Sequence, residues 1–176
     1  MDFEKLIQER RSVRSYSDRP VPRELLDKIV KEAQMAPSWK NMQTSRVYVV
    51  ESAGMLEGFR ERALPDFNIR SSKNAALIVT AFVRNEVGFS NGQPVTELGN
   101  KWGAYDLGLH DAYLILAAKN AGLDTLIMGL RNVDVIRDEL KIPDEEAIVS
   151  VIAVGFRNGD PVFRPRKPIE EVAHFF

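Results

Sequence analysis

Two short basic segments near opposite ends of the chain carry the side chains best suited to binding an anion. The first is RRSVR at residues 10–14, and the second is RPRKP at residues 164–168. Ser12 lies between the positive side chains of the first segment. A dianionic phosphate favours several charge-assisted donors at once, and the planar guanidinium of arginine suits it well. The two segments therefore indicate a phosphate site, although RRSVR on its own is equally typical of a solvated turn after a helix.

Other kinds of catalytic centre have little support in the sequence. The two histidines, His110 and His174, lie far apart, and neither has an acidic pair at metal-ligand spacing. The chain has no cysteine, no G-x-S-x-G elbow, no P-loop and no G-x-G-x-x-G motif. We therefore expect no metal site and no Rossmann domain. A Ser-His-Asp triad is not excluded by the residue counts, but an enzyme without an evident acid-base or nucleophilic cluster can take its chemistry from a bound cofactor.

The composition is that of an ordinary globular protein. The chain has 176 residues, of which 44% are hydrophobic and 28% charged, so it is long enough to bury one core. Its formal net charge of −1 argues against nucleic-acid binding. The charged N-terminus does not resemble a signal peptide, and no apolar run is long enough to span a membrane. We expect one domain over residues 1–176, located in the cytoplasm.

The hydrophobic pattern predicts helices that alternate with strands, which is typical of an α+β fold. Helices are predicted from Phe3 with Asp2 as N-cap, and over 22–36, 53–64, 105–121 and 134–140, with Gly122 ending the longest. Strands are predicted over 46–51, 75–83, 125–129 and 147–156. The run at 75–83 is apolar except for Thr80, so this strand should be covered on both faces.

Residues 85–103 have no periodicity and contain four glycines, so we expect an active-site lid that is mobile without ligand. Phe89 and Trp102 are its aromatic residues. Both are candidates for contact with a flat substrate, and the alternative role for Trp102 is to anchor the start of the long helix.

Four motifs in order make the chain similar to the FMN-dependent nitroreductase family. They are RRSVRSYSDRPVP at 10–22, APSWKNMQ at 36–43, DLGLHDAYLILAAKNAGLDTLIMG at 106–129, and VGF followed by RPRKPIEEV at 154–172. The resemblance implies a three-layer fold with a mixed central sheet covered by helices. It also implies an interlocked homodimer with two FMN molecules at the interface.

The resemblance assigns the basic segments to the cofactor's phosphate and ribityl chain. Arg10 and Ser12, with Arg11, match the family's contacts at the first segment, and Arg166 and Lys167 match those of the tail. Arg14 takes the position near nitrogen 1 and oxygen 2 of the flavin, where a guanidinium would stabilise the negative charge of the reduced ring.

The remaining matches concern the flavin ring. Pro37, Ser38 and Trp39 match the turn that meets the ring from the other subunit, although a small residue is usual at position 39. Asn41 and Gln43 match the family's Asn-x-Gln, but Thr44 and Ser45 replace the Pro-Trp that often follows. The last matching residues are Met128, Gly129 and Leu130, at the strand end whose backbone N–H faces nitrogen 5.

The function implied is hydride transfer from NADH or NADPH, by way of FMN, to a small electron-poor acceptor such as a nitroaromatic, quinone or enone. Arg14, Met128 and Gly129 would lie nearest the reacting atoms. Two alternatives stay open, namely a non-catalytic flavin-binding or regulatory protein and a flavin-fragmenting enzyme of the same fold.

Overall fold

The computed structural model describes residues 2–176, which form six α-helices and six β-strands. The helices are α1 (Phe3–Glu9), α2 (Arg23–Ala33), α3 (Ala53–Ala63), α4 (Asp66–Ser71), α5 (Lys101–Asn120) and α6 (Val133–Leu140). The strands are β1 (Ser45–Val50), β2 (Ala76–Val83), β3 (Phe89–Ser90), β4 (Gln93–Pro94), β5 (Asp124–Met128) and β6 (Glu146–Gly155). Short 3-10 turns cover Trp39–Asn41 and Ile169–Glu171.

The central sheet has the strand order β1-β2-β6-β5, and each neighbouring pair is antiparallel. A parallel bridge between Ser12 and Thr125 adds the segment after α1 to the other edge of β5, so the sheet is mixed as predicted. All residues of β2 except the last are buried. The expectation that this apolar strand is covered on both faces is therefore confirmed.

Successive residues of β2 point to opposite faces of the sheet and enter two separate hydrophobic clusters. Leu77 and Val79 pack with Phe59 of α3 and Ile136 of α6. On the other face, Ile78 packs with residues of α2 and α5, including Ile29 and Leu114. Helices thus cover both faces of one sheet, and the predicted three-layer α+β architecture is confirmed.

The long helix α5 begins at Lys101, four residues earlier than the sequence pattern predicts. Gly103 caused the error, because glycine weakens a helix and was assigned to the preceding segment. In the structure Gly103 lies against the ring of Phe82, where a Cβ would stand 2.4 Å from Cδ2. Close packing of α5 on the sheet therefore requires glycine here. The predicted C-terminal glycine, Gly122, has φ +80°.

Residues 85–100 are more regular than predicted, because β3 and β4 form a hairpin. Its turn is Asn91-Gly92, with φ of 50° and 73°. Asn-Gly is a strong signal for a two-residue hairpin turn, so this hairpin could have been predicted from the sequence. The short helix α4 was also missed, since six residues are too few to show a helical period.

Two smaller observations complete the fold. The prediction that α2 continues to Ala36 is wrong, since the helix ends at Ala33 and a turn follows with hydrogen bonds from Met35 and Ala36 to carbonyls three residues earlier. Asp2 caps α1 as predicted, accepting the Lys5 N–H at 2.9 Å.

Within residues 2–176 no helix combines the length and the apolar character needed to cross a bilayer.

Candidate functional site

The two basic segments, distant in sequence, line one open cleft of about 700 Å³. Its walls come from residues 10–15, from Phe67 of α4 and from the segment after β6, including Arg164 and Arg166. This basic cleft forms because the Ser12–Thr125 bridge fixes the first segment on the edge of β5, while Ser17 N–H donates to the Phe156 carbonyl at 2.8 Å. The structure therefore brings Arg10, Ser12, Arg14 and Arg166 together.

The basic cleft concentrates positive charge that the protein itself does not neutralise. Burial, and after it the charges of Arg166 and Arg11, lower the pKa of the Arg10 guanidinium. Asp160 also lines the cleft, but it pairs with Arg157 at 3.1 Å. Among residues 2–176, none of the ion pairs involves Arg10, Arg11, Arg14 or Arg166. Converging, unneutralised guanidiniums suit an anion such as phosphate.

Two predicted phosphate ligands are partly engaged elsewhere. Arg11 donates to the Arg10 carbonyl at 2.8 Å, and its guanidinium lies 4.9 Å from the centre of the Phe163 ring. Lys167 pairs with Glu171 at 3.2 Å and is not among the residues that line the basic cleft. The structure thus places Arg166 in the cleft and directs the charge of Lys167 away from it.

The residues of the first basic segment have a defined order along β5. Val13 N–H donates to the Thr125 carbonyl at 3.0 Å, and the two segments run parallel. Arg10 therefore falls toward the start of β5 and Arg14 toward its end. Gly129 follows the strand and lies about 13 Å beyond Thr125 at the usual rise of about 3.3 Å per residue. The arginines and the Gly129 turn are thus ordered along one edge.

The turn after β5 leaves open space at Gly129. Met128 is buried in the core, whereas Leu130 is 73% exposed. A Cβ added to Gly129 would meet no atom within 4 Å, and its φ does not require glycine. The described protomer therefore gives no packing reason for glycine here. A backbone free of a side chain suits close approach by a flat ligand.

Residues 37–43 form a turn with unusual backbone geometry. Lys40, Asn41 and Gln43 have φ of 48°, 57° and 52°, in the left-handed region. That region costs on the order of 1 kcal/mol per residue other than glycine, with asparagine the most tolerant. The Ser38 hydroxyl accepts the Gln43 N–H at 3.1 Å, and buried Asp106 accepts the Trp39 N–H at 2.8 Å. These contacts stabilise the strained backbone.

The 37–43 turn does not share a cavity with the basic cleft. Pro37, Ser38 and Gln43 line a separate space of about 310 Å³, together with Asp106 and His110 of α5. No residue lines both cavities. Within one protomer, the two halves of the predicted site are therefore apart.

A sequence model described as "Nitroreductase family" matches residues 7–156. The chain belongs to the nitroreductase family. It is 26% identical to an FMN reductase [NAD(P)H] from Bacillus subtilis, covering 97% of this chain and 72% of the relative. It is 25% identical to a chloronitrobenzene nitroreductase from Comamonas testosteroni, covering 86% and 85%. A solved structure of an oxidoreductase containing FMN superposes with a TM-score of 0.84 at 25% identity, covering 99% and 91%.

Trp39 belongs to an aromatic cluster. The Trp39 and Trp102 rings lie 5.1 Å apart with an interplanar angle of 55°, and Tyr105 meets Trp102 edge-on at 5.8 Å. Trp102 also donates from Nε1 to the Thr96 hydroxyl at 2.7 Å. Trp102 thus anchors the start of α5, which is the alternative role considered for it.

Sequence reasoning missed the side chains that hold the turn after β5. The Arg131 guanidinium donates to the carbonyls of Gly129 and Ile148, and Asn68 Nδ2 donates to the Leu130 carbonyl at 2.9 Å. Burial lowers the pKa of Arg131, whose Nε has no hydrogen-bond partner in the described chain. These residues fix the backbone of the turn after β5. The only sequence signal for Arg131 is that it lies two residues after Gly129.

His110 lies in a buried polar network rather than at an exposed site. Its Nδ1 is 3.4 Å from Asp111 Oδ1, and the Thr80 hydroxyl donates to Asp111 Oδ2 at 3.1 Å. The hydroxyls of Thr80 and Ser150 are 2.9 Å apart. This network links α5 to β2 and β6, which agrees with a structural role for His110.

Proposed function

We propose that this member of the nitroreductase family is an FMN-dependent oxidoreductase. It accepts a hydride from NADH or NADPH and passes it to a small electron-poor acceptor such as a nitroaromatic, quinone or enone. The observation that carries the proposal is the order of Arg10, Ser12, Arg14 and Gly129 along one edge of β5. An elongated molecule with a phosphate at one end and a flat ring at the other fits this order. The FMN reductase and nitroreductase relatives, and the FMN-containing structure, support the same cofactor and donor.

The basic cleft would hold the phosphate end of FMN. Arg10, Ser12 and Arg166 bind the phosphate, and Arg11 contributes charge beside them. Arg14, nearer the end of β5, stabilises negative charge on the ring edge. When bound, the flavin supplies the hydride-transfer chemistry. The residues of the chain supply binding, orientation and fixed charge.

The turn after β5 would face the reacting part of the ring. Gly129 allows its backbone to approach the ring, and Arg131 keeps that backbone in place through the Gly129 carbonyl. Met128 fixes the turn to the core below, while exposed Leu130 borders the open side. This arrangement orients the ring without placing an acid or base at it.

The other side of the site would come from a second copy of the chain. Pro37, Ser38, Trp39, Asn41 and Gln43 line no part of the basic cleft of their own protomer. In a two-fold dimer each 37–43 turn can reach the flavin of its partner. The exposed apolar residues of α5 and of the C-terminal segment provide surface for such an interlocked homodimer. Residues 85–103 would then act as a lid over the acceptor.

Anaerobic mixing of the purified protein with NADH and with NADPH tests the proposal. We expect yellow protein with non-covalent FMN whose absorbance bleaches within seconds and recovers when a nitroaromatic, quinone or enone is added. Protein that is colourless and takes up no FMN at micromolar concentration would contradict the proposal. FMN that neither donor bleaches would indicate a binding or regulatory role. Loss of flavin absorbance in air, in proportion to reductant, would indicate the flavin-fragmenting alternative.

A further inference from the structure

The first turns of α5 hold the 37–43 turn through two side chains on one helical face. Trp102 and Asp106 are four residues apart and are therefore neighbours on the helix surface. Asp106 accepts the Trp39 N–H at 2.8 Å, and Trp102 packs its ring against that of Trp39. The backbone and the side chain of Trp39 are thus bound by adjacent positions of the same helix.

Asp106 is the most buried of the side chains that bind the turn. It is 4% exposed, whereas Ser38 is half-buried and Arg46, which donates to the Gln43 carbonyl at 3.0 Å, is exposed. A buried acceptor on a rigid helix fixes its donor more firmly than an exposed side chain does. The N–H of Trp39 lies directly before Lys40, the first residue of the turn with a left-handed backbone. Asp106 is therefore placed to set the orientation in which the strained turn packs against α5.

Trp102 connects the same unit to the hairpin. Its Nε1 donates to Thr96, and its ring lies against Gly88, where a Cβ would stand 2.8 Å from Trp102 Cδ1. The side chains of Asn85 and Asn100 bond across the base of the hairpin at 2.9 Å. The hairpin therefore rests on the ring that also packs on Trp39.

We propose that Asp106 is a positioning residue that fixes Trp39 against Trp102, so that the 37–43 turn and the hairpin form one unit that shapes the acceptor site. This inference rests on the proposed function, in which the turn faces the flavin ring and the hairpin covers the acceptor. Asp106 touches neither cofactor nor acceptor and acts through Trp39.

The Asp106→Ala variant removes the acceptor for the Trp39 N–H. The KM for a nitroaromatic acceptor should rise on the order of tenfold, and the Kd for FMN should rise by less, because the 37–43 turn is displaced while the basic cleft is intact. Asp106→Asn keeps an oxygen for the Trp39 N–H and should restore a KM close to that of the wild type. Equal defects in both variants would overturn the proposal, since the charge and not the hydrogen bond would then matter.

Circular dichroism measures the contact between Trp39 and Trp102 directly. The chain has two tryptophans, and both belong to this unit, so the tryptophan bands of the circular dichroism spectrum report on the pair. Asp106→Ala should lose the coupled signal, whereas Asp106→Asn should keep it. An unchanged spectrum together with an unchanged acceptor KM in Asp106→Ala would contradict the inference.

Variants of Trp102 give a second route that does not depend on Asp106→Ala folding. Trp102→Leu should reproduce the rise in acceptor KM, and Trp102→Phe, which keeps the ring contact with Trp39 but loses the donor to Thr96, should give a smaller rise. In the double variant Asp106→Ala/Trp102→Leu, the effects on KM should be less than additive, because both changes break one linkage. Strict additivity, or equal behaviour of Leu and Phe, would overturn the proposal.

The spectroscopic experiment also separates this inference from the proposed function. It is run on protein without FMN. A wild-type protein that binds no FMN would end the proposed function, yet the dichroism of Asp106→Ala and Asp106→Asn would still show whether Asp106 positions Trp39. A wild-type protein that is active, with Asp106→Ala unchanged in both readouts, would end the inference alone.

Discussion

Arg14 and Arg166 line the basic cleft from different segments, and their proposed roles near the ring and at the phosphate predict different effects on flavin reduction and binding. Arg166→Ala should weaken FMN binding by about 2 kcal/mol, or roughly thirtyfold in Kd, because a charge-assisted contact to the phosphate is lost in both redox states. Arg14→Ala should affect binding less, but it should lower the reduction potential of bound FMN. Titration of the flavin absorbance with FMN, and then with a reductant, measures both quantities.

A matched control is Lys31→Ala, which removes one positive charge from an exposed position of α2. Neither the Kd nor the potential should change in this variant. An unchanged potential in Arg14→Ala would show that Arg14 is not near the ring. An unchanged Kd for FMN in Arg166→Ala would show that the basic segment at 164–168 does not contribute to the phosphate site.

Arg131 is expected to stabilise the turn after β5. Replacement by alanine leaves the carbonyls of Gly129 and Ile148 without their donor, which should cost about 1–2 kcal/mol of unfolding free energy. The cost falls at the low end of the usual range because Arg131 Nε is itself buried without a partner. Urea denaturation of the FMN-free protein measures it, with the exposed Arg70 replaced by alanine as control. Equal stability of the two variants would mean that Arg131 does not support this turn.

At the level of elements, the hairpin is expected to select the acceptor. Replacing residues 88–99 by a short Gly-Ser linker should change the ranking of nitroaromatic, quinone and enone acceptors far more than it changes FMN affinity. The reason is that the hairpin does not line the basic cleft, yet it packs on Trp102 beside the 37–43 turn. Steady-state kcat/KM for the acceptor panel tests this. An unaltered ranking would place selectivity elsewhere and remove the lid role from residues 85–103.

The elements that sequence reasoning predicted are those whose local pattern agrees with their packing. The strands β2, β5 and β6 were predicted because their apolar runs are largely buried. The strand β1 is mostly half-buried and was predicted from its β-branched and aromatic residues. The start of α5 was misplaced because Gly103 has a tertiary reason, the ring of Phe82, that no local rule contains. The basic segments and the 37–43 turn were found from motifs. Asp106 was not, because its partner Trp39 lies 67 positions away in the chain.

The exposed surface of the whole molecule indicates what completes the site. Tyr105 and Tyr113 on α5 are 59% and 43% exposed, and Phe3 of α1, which packs against α5, is also exposed. After β6 the chain exposes further large apolar side chains, namely Val162, Phe163, Ile169, Val172, Phe175 and Phe176. Exposed large apolar side chains in this number are typical of an interface between protein subunits. A second copy of the chain would cover them and bring the 37–43 turn to the flavin.

Breaking this interface should therefore remove the cofactor as well as the dimer. Tyr113→Glu places a charge on the apolar face of α5, and burial of an unpaired charge at an interface is strongly unfavourable. Sedimentation should show a mass near 19.9 kDa instead of twice that value, and the protein should lose its yellow colour, because in the proposed dimer one protomer would enclose only half of each flavin. Tyr113→Phe keeps the apolar surface and should remain a yellow dimer. A monomeric Tyr113→Glu variant that still binds FMN tightly would show that the basic cleft and the turn after β5 suffice, and that the partner's 37–43 turn does not belong to the site.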